Sequence, residues 1–373
     1  MSVRIKNLHL LLSILSRYVD EIPHTKFFIT GRPEPRICSG FCLRSLLPIT
    51  EVLKLHEVKP EVVNNDIKLF FQTRLTDLAE NQSDCGTIGD GPSSSDIGIL
   101  CKEAAGFFIY ASTVIKFVSS KSHKPTKCLN LIILLPESTS HEGRSGIDLL
   151  YTQVLEQAVD DVDADDDELH SCFRTVVGAV LLMFNPLSAQ ALSELLRESD
   201  ILTTLHSLHS LLLVPDTMED PILTFHKSFP DFLMDSKWCR DQWFCVEPSV
   251  HRAGIVLSCF SLMKERLKRI VYKLDDYTVL SEVKNLSTYQ RDHIGDALKY
   301  ACHFWTKHLL KIPASSSHIE EVQKSINDFF TTRLLFCIEV LSLTGNLNIG
   351  VCEPSHLSKV TTQLQIHLRV LQG

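Results

Sequence analysis

Histidine and cysteine are the residue types with the greatest chemical potential in this sequence, which contains 16 and 12 of them. No histidine lies in an HExxH motif, and no GxSxG motif supplies a serine nucleophile. The closest cysteine pairs, Cys38/Cys42 and Cys239/Cys245, have three and five intervening residues, whereas zinc sites commonly use CxxC pairs. The spacing therefore predicts neither a zinc site nor a serine hydrolase site, and we expect no bound metal.

One histidine stands out by its position. His226 directly follows the apolar run Ile222–Phe225 and precedes a second apolar segment that ends at Leu233. From the residues alone, a histidine at a corner between a strand and a helix is more often structural than functional. His303 and His308 lie in a segment with the periodicity of a packed helix, and we interpret them in the same way.

The sequence contains no phosphate-binding loop of the usual kind. There is no GxxxxGK[ST] motif and no Gly-Lys dipeptide, although a phosphate-binding loop needs that backbone and its lysine. Leu211–Asp216 has the form of an apolar strand that ends in a magnesium-binding aspartate. Because no phosphate loop precedes it, a β-hairpin is the better interpretation. The sequence argues against autonomous NTP hydrolysis.

The most acidic part of the chain is Asp160–Glu168, where seven of nine residues are acidic. A calcium-binding loop that started at Asp161 would need glycine at its sixth position and glutamate at its twelfth, which here are Asp166 and Cys172. The pattern instead favours a solvated loop before a helix, whose positive N-terminal end suits acidic residues.

Length and charge limit the possible classes of protein. The 373 residues are enough for two or three domains with their own cores. Lys+Arg 37 against Asp+Glu 45 gives a net charge of −8, which provides no global basic field for nucleic acid or anionic lipid. The longest apolar stretch, Val176–Phe184, is too short to span a bilayer. Scattered single cysteines indicate free thiols in a reducing cytoplasm.

The N-terminal part predicts a mixture of helix and strand. Apolar periodicity indicates a helix from about Asn7 to Asp20, and Lys26–Thr30 is typical of a buried strand. Val52–Leu55 is a second, weaker strand candidate. Asn65 is expected to cap a helix that runs to about Ala79.

The rest of the chain is predicted to be helical, with one exception. Two apolar runs, Leu211–Val214 and Ile222–Phe225, flank a polar segment and predict a β-hairpin. Three helices followed by a hairpin is the order of a winged helix. Beyond the hairpin, we expect antiparallel helix pairs formed from long helical segments. These are Pro248–Ile270, Tyr289–Ile312, Ile319–Leu343 and His356–Leu371.

Several segments together resemble a known family. Phe27–Pro35 is similar to the sensor segment of fungal NACHT-type signal-transducing NTPases, whose members often carry C-terminal repeats. Ala104–Ala111 resembles the helical domain of that family, and Gly178–Leu196 resembles its winged helix. The run His226–Leu233 is similar to its nucleotide-sensing histidine motif, and Tyr300–Trp305 to its helical linker. The resemblance covers about residues 7–345.

The resemblance implies three nucleotide-site residues. Arg32 would lie where a γ-phosphate develops charge, and the guanidinium group matches phosphate geometry. His226 would contact a β-phosphate and hold a closed, diphosphate-bound state. Gly106 would lie near adenine, although Phe107 and Phe108 occupy positions where the family often has proline. We regard this as a vestigial ATP/ADP site that binds no catalytic metal.

In that family, the phosphate loop and the magnesium strand precede the helix that begins here at Asn7. The resemblance therefore implies a truncated, non-catalytic member that acts through protein–protein interaction, including pairing with full-length relatives. Two alternatives remain. The chain is an active ATP-binding switch if its true N-terminus lies upstream, or it is a DNA-binding winged-helix protein. Against the second, the candidate recognition helix Ser188–Ser199 carries Glu194 and Glu198, which phosphate would repel.

The expected fold class is mainly α with a small α/β remnant at the N-terminus. We predict four parts: a remnant of an α/β NTPase core at 1–59, a helical domain at 60–145, a winged-helix-like domain at 146–245 and a helical linker or scaffold at 246–373. We expect protein partners, no nucleic acid and no membrane.

Overall fold

The computed structural model of the chain describes residues 5–22, 24–31, 35–43, 45–82, 92–120, 124–138, 145–160, 167–239, 243–267, 288, 290–313 and 315–347. Over these residues the chain forms fifteen α-helices and one two-stranded sheet, which confirms a mainly α fold. The chain divides into two compact units, Met1–Val63 and Asn64–Gly373. The two units are described separately.

The first unit is built on two helices, α1 (Ile5–Tyr18) and α2 (Pro35–Phe41). Their small apolar core consists of Leu12, Ile37 and Leu46. At Gly40 of α2, a Cβ atom would lie 2.6 Å from Leu12 Cδ1, so a larger residue there would displace the end of the Leu12 side chain. Three 3-10 turns complete the regular structure of this unit: Val19–Glu21, Leu47–Ile49 and Leu55–Glu57.

Both strands that we predicted in the first unit are wrong. Residues 24–30 contain no strand, and the Phe28 side chain is 92% exposed. Val52–Leu55 is also not a strand, because residues 51–54 have no regular structure and Leu55 opens a 3-10 turn. A strand requires a hydrogen-bonded neighbour, and none of the described residues of this unit supplies one.

The second unit begins with a bundle whose central helix is α5 (Phe108–Val118). Seven of the eleven residues of α5 are buried, and α4 (Ser94–Ala104), α6 (Pro125–Ser138) and α7 (Gly146–Asp160) pack around it. Ser93 caps α4 by accepting the Asp96 N–H at 3.1 Å, and the Asp96 carboxylate accepts the Ser93 N–H in return. The helix predicted from Asn65 starts earlier, at Pro60. The five helices are α3 (Pro60–Gln82), α4 (Ser94–Ala104), α5 (Phe108–Val118), α6 (Pro125–Ser138) and α7 (Gly146–Asp160).

Three helices and a hairpin follow the bundle, as the sequence predicted. The strands pair antiparallel, with Leu212 opposite Thr224 and Leu213 opposite Leu223. An isolated antiparallel bridge joins Ser188, the N-cap of α9, to Pro221 in the hairpin. The elements are α8 (Asp167–Leu182), α9 (Ala189–Leu196), α10 (Ile201–His206), β1 (Leu212–Leu213) and β2 (Leu223–Thr224).

The C-terminal helices pack around α12 (Pro248–Arg266). The side chains of Phe260, Trp305 and Phe329 form an aromatic core whose ring centroids lie 5.2–5.3 Å apart. The predicted single helix Ile319–Leu343 is in fact two helices, since Arg333 between them has a non-helical φ of −128°. The predicted helix His356–Leu371 lies outside the described residues. The helices are α11 (Ser228–Leu233), α12 (Pro248–Arg266), α13 (Gly295–Leu309), α14 (Ile319–Thr332) and α15 (Leu334–Leu343).

A fully buried histidine connects three of these elements. His308 Nδ1 lies 3.1 Å from an Arg252 guanidinium nitrogen, and its Nε2 lies 2.7 Å from the Tyr300 hydroxyl. The same hydroxyl accepts the Phe184 N–H at 3.1 Å, just beyond α8. Because arginine can only donate, Nδ1 must be an acceptor, and the proton of the neutral ring is therefore on Nε2. Burial, together with the charges of Arg252 and Lys311, lowers the pKa of His308 to about 3.

The buried His308 makes the stability of the chain sensitive to acid. Its folded pKa of about 3 is below the unfolded value near 6.5, so stability is fully present above pH 6.5 and falls as the pH drops towards 3. We expect this group to cost about 2 kcal/mol between pH 7 and pH 5. Urea denaturation of His308→Gln, whose amide can keep both hydrogen bonds, should show a shallower pH dependence than the parent chain. Equal slopes for the two proteins would contradict the buried neutral ring.

The first unit should also be the more accessible to proteases. Residues 24–31 and 50–54 have no regular structure, and exposed apolar side chains flank them. We expect limited proteolysis, followed by mass spectrometry, to detect the first cuts within Met1–Val63. First cuts within the helices and hairpin of 172–239 would contradict this order.

Candidate functional site

The structure describes two of the three residues that sequence reasoning assigned to a nucleotide site. Arg32 lies outside the described residues. Gly106 lies in the turn between α4 and α5, and His226 lies between β2 and α11.

His226 lies at the centre of a short hydroxyl network. Its Nδ1 accepts the Ser228 N–H at 3.1 Å and lies 2.7 Å from the Ser228 hydroxyl oxygen. The Ser228 hydroxyl also lies 2.7 Å from the Tyr151 hydroxyl, which comes from α7. Because the Ser228 N–H can only donate, Nδ1 is the acceptor, and the neutral ring carries its proton on Nε2.

The aromatic side chains beneath His226 fix this network in place. The ring centroid of Tyr151 lies 5.4 Å from that of Phe229 and 5.5 Å from that of Phe232, and all three residues are buried. Burial raises the pKa of Tyr151 to about 12, so the phenol remains protonated and can donate to Ser228. The segment between the hairpin and α11 is thus held by a buried aromatic cluster from α7.

A serine beside a histidine could in principle be a nucleophile and its base. Here the two residues are only two positions apart, and the Ser228 backbone N–H donates to the same ring nitrogen as its hydroxyl approaches. This is the geometry of a local turn at the start of α11. The arrangement positions the His226 ring and does not form a hydrolytic dyad.

The backbone at Gly106 has a left-handed conformation that favours glycine. Ala105 and Gly106 have φ values of +46° and +80°, so two successive left-handed residues turn the chain from α4 into α5. The next side chain, Phe107, is 66% exposed. Gly106 is therefore required for the turn itself, whatever else it contacts.

The C-terminal turn of α5 contacts the His226 segment. Lys116 Nζ lies 2.7 Å from the centroid of the Phe225 ring, one residue before His226. Burial lowers the pKa of Lys116, because the ammonium group is partly desolvated there. Along α5, Gly106 is about 15 Å from Lys116 at 1.5 Å per residue. This contact does not bring Gly106 to His226.

Sequence reasoning missed the two residues that position His226 from elsewhere in the fold. Tyr151 bonds to Ser228 across 77 positions, and Lys116 contacts Phe225 across more than a hundred. Lys116 interrupts an otherwise apolar helix, which is a signal that could have drawn attention to it. Nothing in the local sequence distinguishes Tyr151 from an ordinary core tyrosine.

Two open clefts lie along α12. One has a volume of about 570 Å³ and is lined by residues that include Arg174, Trp243 and His251. The other, of about 430 Å³, lies next to the salt bridge between Lys264 and Asp328. Within the described part of the chain, no group of three or more His, Cys, Asp or Glu side chains is arranged to hold a metal ion. Likewise, no helix in that part is long and apolar enough to cross a membrane.

Comparison with known proteins gives a distant match. No family model matches the chain, and no solved structure matches it. The chain is similar to a fungal protein, the vegetative incompatibility protein HET-E-1 of Podospora anserina, with 24% identity over 315 residues. The match covers 79% of this chain but only 22% of the fungal protein, so the chain spans about a fifth of that relative. The similarity indicates a distant relationship with this fungal protein.

The environment of His226 predicts how the motif responds to mutation. His226→Ala removes one acceptor at a half-buried position, so we expect a loss of about 1 kcal/mol in the free energy of unfolding. Phe229→Ala and Phe232→Ala remove buried rings and should each cost about 3–5 kcal/mol. Chemical denaturation measures all three. If His226→Ala costs as much as the phenylalanine changes, the histidine is a core residue and has no capacity for sensing.

Proposed function

We propose that this chain is a non-catalytic part of a NACHT-type signalling protein and that it acts through protein–protein interaction in the cytoplasm. The observation that carries the proposal is the similarity to a fungal vegetative incompatibility protein across 79% of a chain that contains no Gly-Lys dipeptide. The motifs at Phe27–Pro35 and His226–Leu233 support the same group. The chain spans about a fifth of the length of its relative, so a role in signalling is carried over to this chain only as a proposal.

The domain organisation is also a proposal. The division between the two compact units at Val63 supports a boundary close to that proposed at residues 59/60. The order α8, α9, α10, β1, β2 supports a winged helix within residues 146–245, and an isolated bridge from Ser188 to Pro221 adds one further antiparallel pairing beside the hairpin. The tightly packed helices α12 to α15 support a scaffold in residues 246–373.

The nucleotide site is proposed to be vestigial. A phosphate loop and its magnesium ligands normally supply most of the binding energy for the phosphates. Arg32 and His226 would then give only two contacts, and Gly106 would give a backbone contact near the base. The Nδ1 atom of His226 is already bonded within its own turn, so a phosphate contact through that atom would have to replace those hydrogen bonds.

The two alternatives differ in what supports them. An ATP-binding switch requires a phosphate loop that precedes Met1, and an in-frame GxxxxGK[ST] upstream of the Met1 codon would support it. DNA binding is disfavoured because α9, the candidate recognition helix, packs against both α12 and α13. Glu194 of α9 also forms a salt bridge with Arg266, which joins the helix to the rest of the unit.

Nucleotide binding provides the test. We expect the purified chain to show no ATP turnover above background and no rise in Tm with millimolar magnesium-ATP. A ligand at 100 times its Kd would add about 2.7 kcal/mol to stability, which a thermal melt detects readily. Magnesium-ADP and magnesium sulfate serve as matched controls for nucleotide and for ionic effects. A clear upward shift with ATP, abolished by Arg32→Ala, would overturn the non-catalytic assignment.

A further inference from the structure

The larger of the two clefts along α12 has a lining that suits an anion. Its volume of about 570 Å³ is within the range of sites for small molecules. The described residues that line it include Arg174, His251 and His318 but no aspartate or glutamate. In a chain with 45 acidic residues and a net charge of −8, a cleft of this composition favours a negatively charged ligand.

Helix α8 presents three polar side chains to this cleft. Ser171, Arg174 and Thr175 have the spacing of one helix face, and all three are exposed. Among the described residues, no carboxylate lies within salt-bridge distance of the Arg174 guanidinium group. Neither hydroxyl bonds to another described residue, whereas Thr152 and Thr204 in other helices donate to the carbonyl four positions back at 2.9 Å. The three groups therefore remain available to a ligand.

A guanidinium group between two hydroxyls matches a phosphate monoester. Arginine can donate two parallel N–H groups to two phosphate oxygens, and a serine or threonine hydroxyl can donate to the third. A carboxylate has only two oxygens and would leave part of this donor set unused. The face of α8 thus favours a phosphate group.

The cleft also has an apolar wall. The Trp243 ring centroid lies 6.5 Å from that of Phe173 and 5.4 Å from that of Phe244, and these contacts fix the orientation of the half-buried indole. Leu196 and Val250, also half-buried, line the same cleft. An aromatic ring can pack against these side chains while its phosphate group reaches Arg174.

A glycine in α8 allows one wall of the cleft to form. A Cβ atom at Gly178 would overlap Cδ2 of the His251 ring, which comes from α12. His251 Nδ1 lies 2.9 Å from the Glu247 carbonyl oxygen and, because a carbonyl can only accept, donates to it. Gly178 therefore allows the imidazole to lie against α8 in a fixed orientation.

A second glycine, Gly254 of α12, requires a different explanation. It lies in the interior of a helix, where glycine is among the least favourable residues. No described atom lies within 4 Å of a Cβ atom at this position, and its φ is not positive. Neither close packing nor a left-handed backbone therefore requires glycine there. Because Gly254 lines the cleft, its missing side chain widens the cleft instead.

We propose that the cleft between α8 and α12 binds the phosphate ester of a small aromatic compound. Arg174 and the hydroxyls of Ser171 and Thr175 hold the phosphate group, Trp243 packs against the aromatic ring, and Gly254 leaves room for that ring. The cleft is open to solvent, so the ligand can enter without a conformational change. This inference goes beyond the proposed function and does not depend on it.

Phenyl phosphate is the probe that tests the site. Tryptophan fluorescence and isothermal titration calorimetry of the full chain should give a Kd of about 0.1–1 mM, which is the ligand efficiency typical of a compound of about eleven non-hydrogen atoms. Inorganic phosphate and phenol should each bind at least tenfold more weakly, because each has only one of the two groups that the cleft recognises. Benzoate, with two anionic oxygens in place of three, should also bind more weakly.

Two substitutions locate the probe. Arg174→Gln should weaken binding of phenyl phosphate at least tenfold, whereas Arg74→Gln, at an exposed arginine of α3, should bind like the parent. Trp243→Phe should keep an aromatic ring and most of the affinity by calorimetry, but the fluorescence change on binding should disappear. Thermal melts establish that each variant is folded before it is compared.

The glycines supply a matched pair of variants. Gly254→Leu places a side chain in the cleft, and Gly98→Leu makes the same change in α4, where no described atom lies within 4 Å of a Cβ atom either. Neither variant should have a lower Tm than the parent, since leucine favours a helix more than glycine does. Only Gly254→Leu should weaken binding of phenyl phosphate, by at least tenfold.

Each part of the proposal can fail separately. Absence of phenyl phosphate binding, or binding that Arg174→Gln and Gly254→Leu leave unchanged, would overturn the site. A fluorescence change that persists in Trp243→Phe would overturn its location. Equal affinity for benzoate would overturn the phosphate group, and equal affinity for inorganic phosphate would overturn the aromatic ring.

The site can also be distinguished from the vestigial nucleotide site. A rise in Tm with magnesium-ATP that survives Arg32→Ala and disappears in Arg174→Gln would support this cleft and would leave the non-catalytic assignment standing. Failure of phenyl phosphate to bind would leave that assignment equally unaffected.

Discussion

The C-terminal half of the chain depends on a histidine that must remain uncharged. His308 is surrounded by a donor-only guanidinium on one nitrogen and a phenol on the other, so its proton position is determined by its partners. The same phenol accepts the Phe184 N–H, which lies two residues beyond the C-terminal end of α8. One buried ring thus joins the end of α8 to α12 and α13, and a charge on it would break the connection between them.

His308 stays neutral, and the positive charges in this region are on neighbouring side chains. Arg252 is half-buried, and desolvation lowers its pKa, yet it keeps one nitrogen on the imidazole and its guanidinium near the Phe184 ring. Lys307 and Lys311 share that ring. Arg252 therefore has two roles, since it fixes the tautomer of His308 and also lies near the Phe184 ring.

The predictions from the sequence succeeded where the determining contacts were local. The hairpin was predictable because two apolar runs flank a polar turn bounded by prolines, and its register needs no distant partner. Lys26–Thr30 failed for the opposite reason, since five residues of strand propensity form no strand without a neighbour to pair with. At the candidate site, His226 could be singled out by its position. Its partner Tyr151 could not, because that hydrogen bond links residues far apart in sequence.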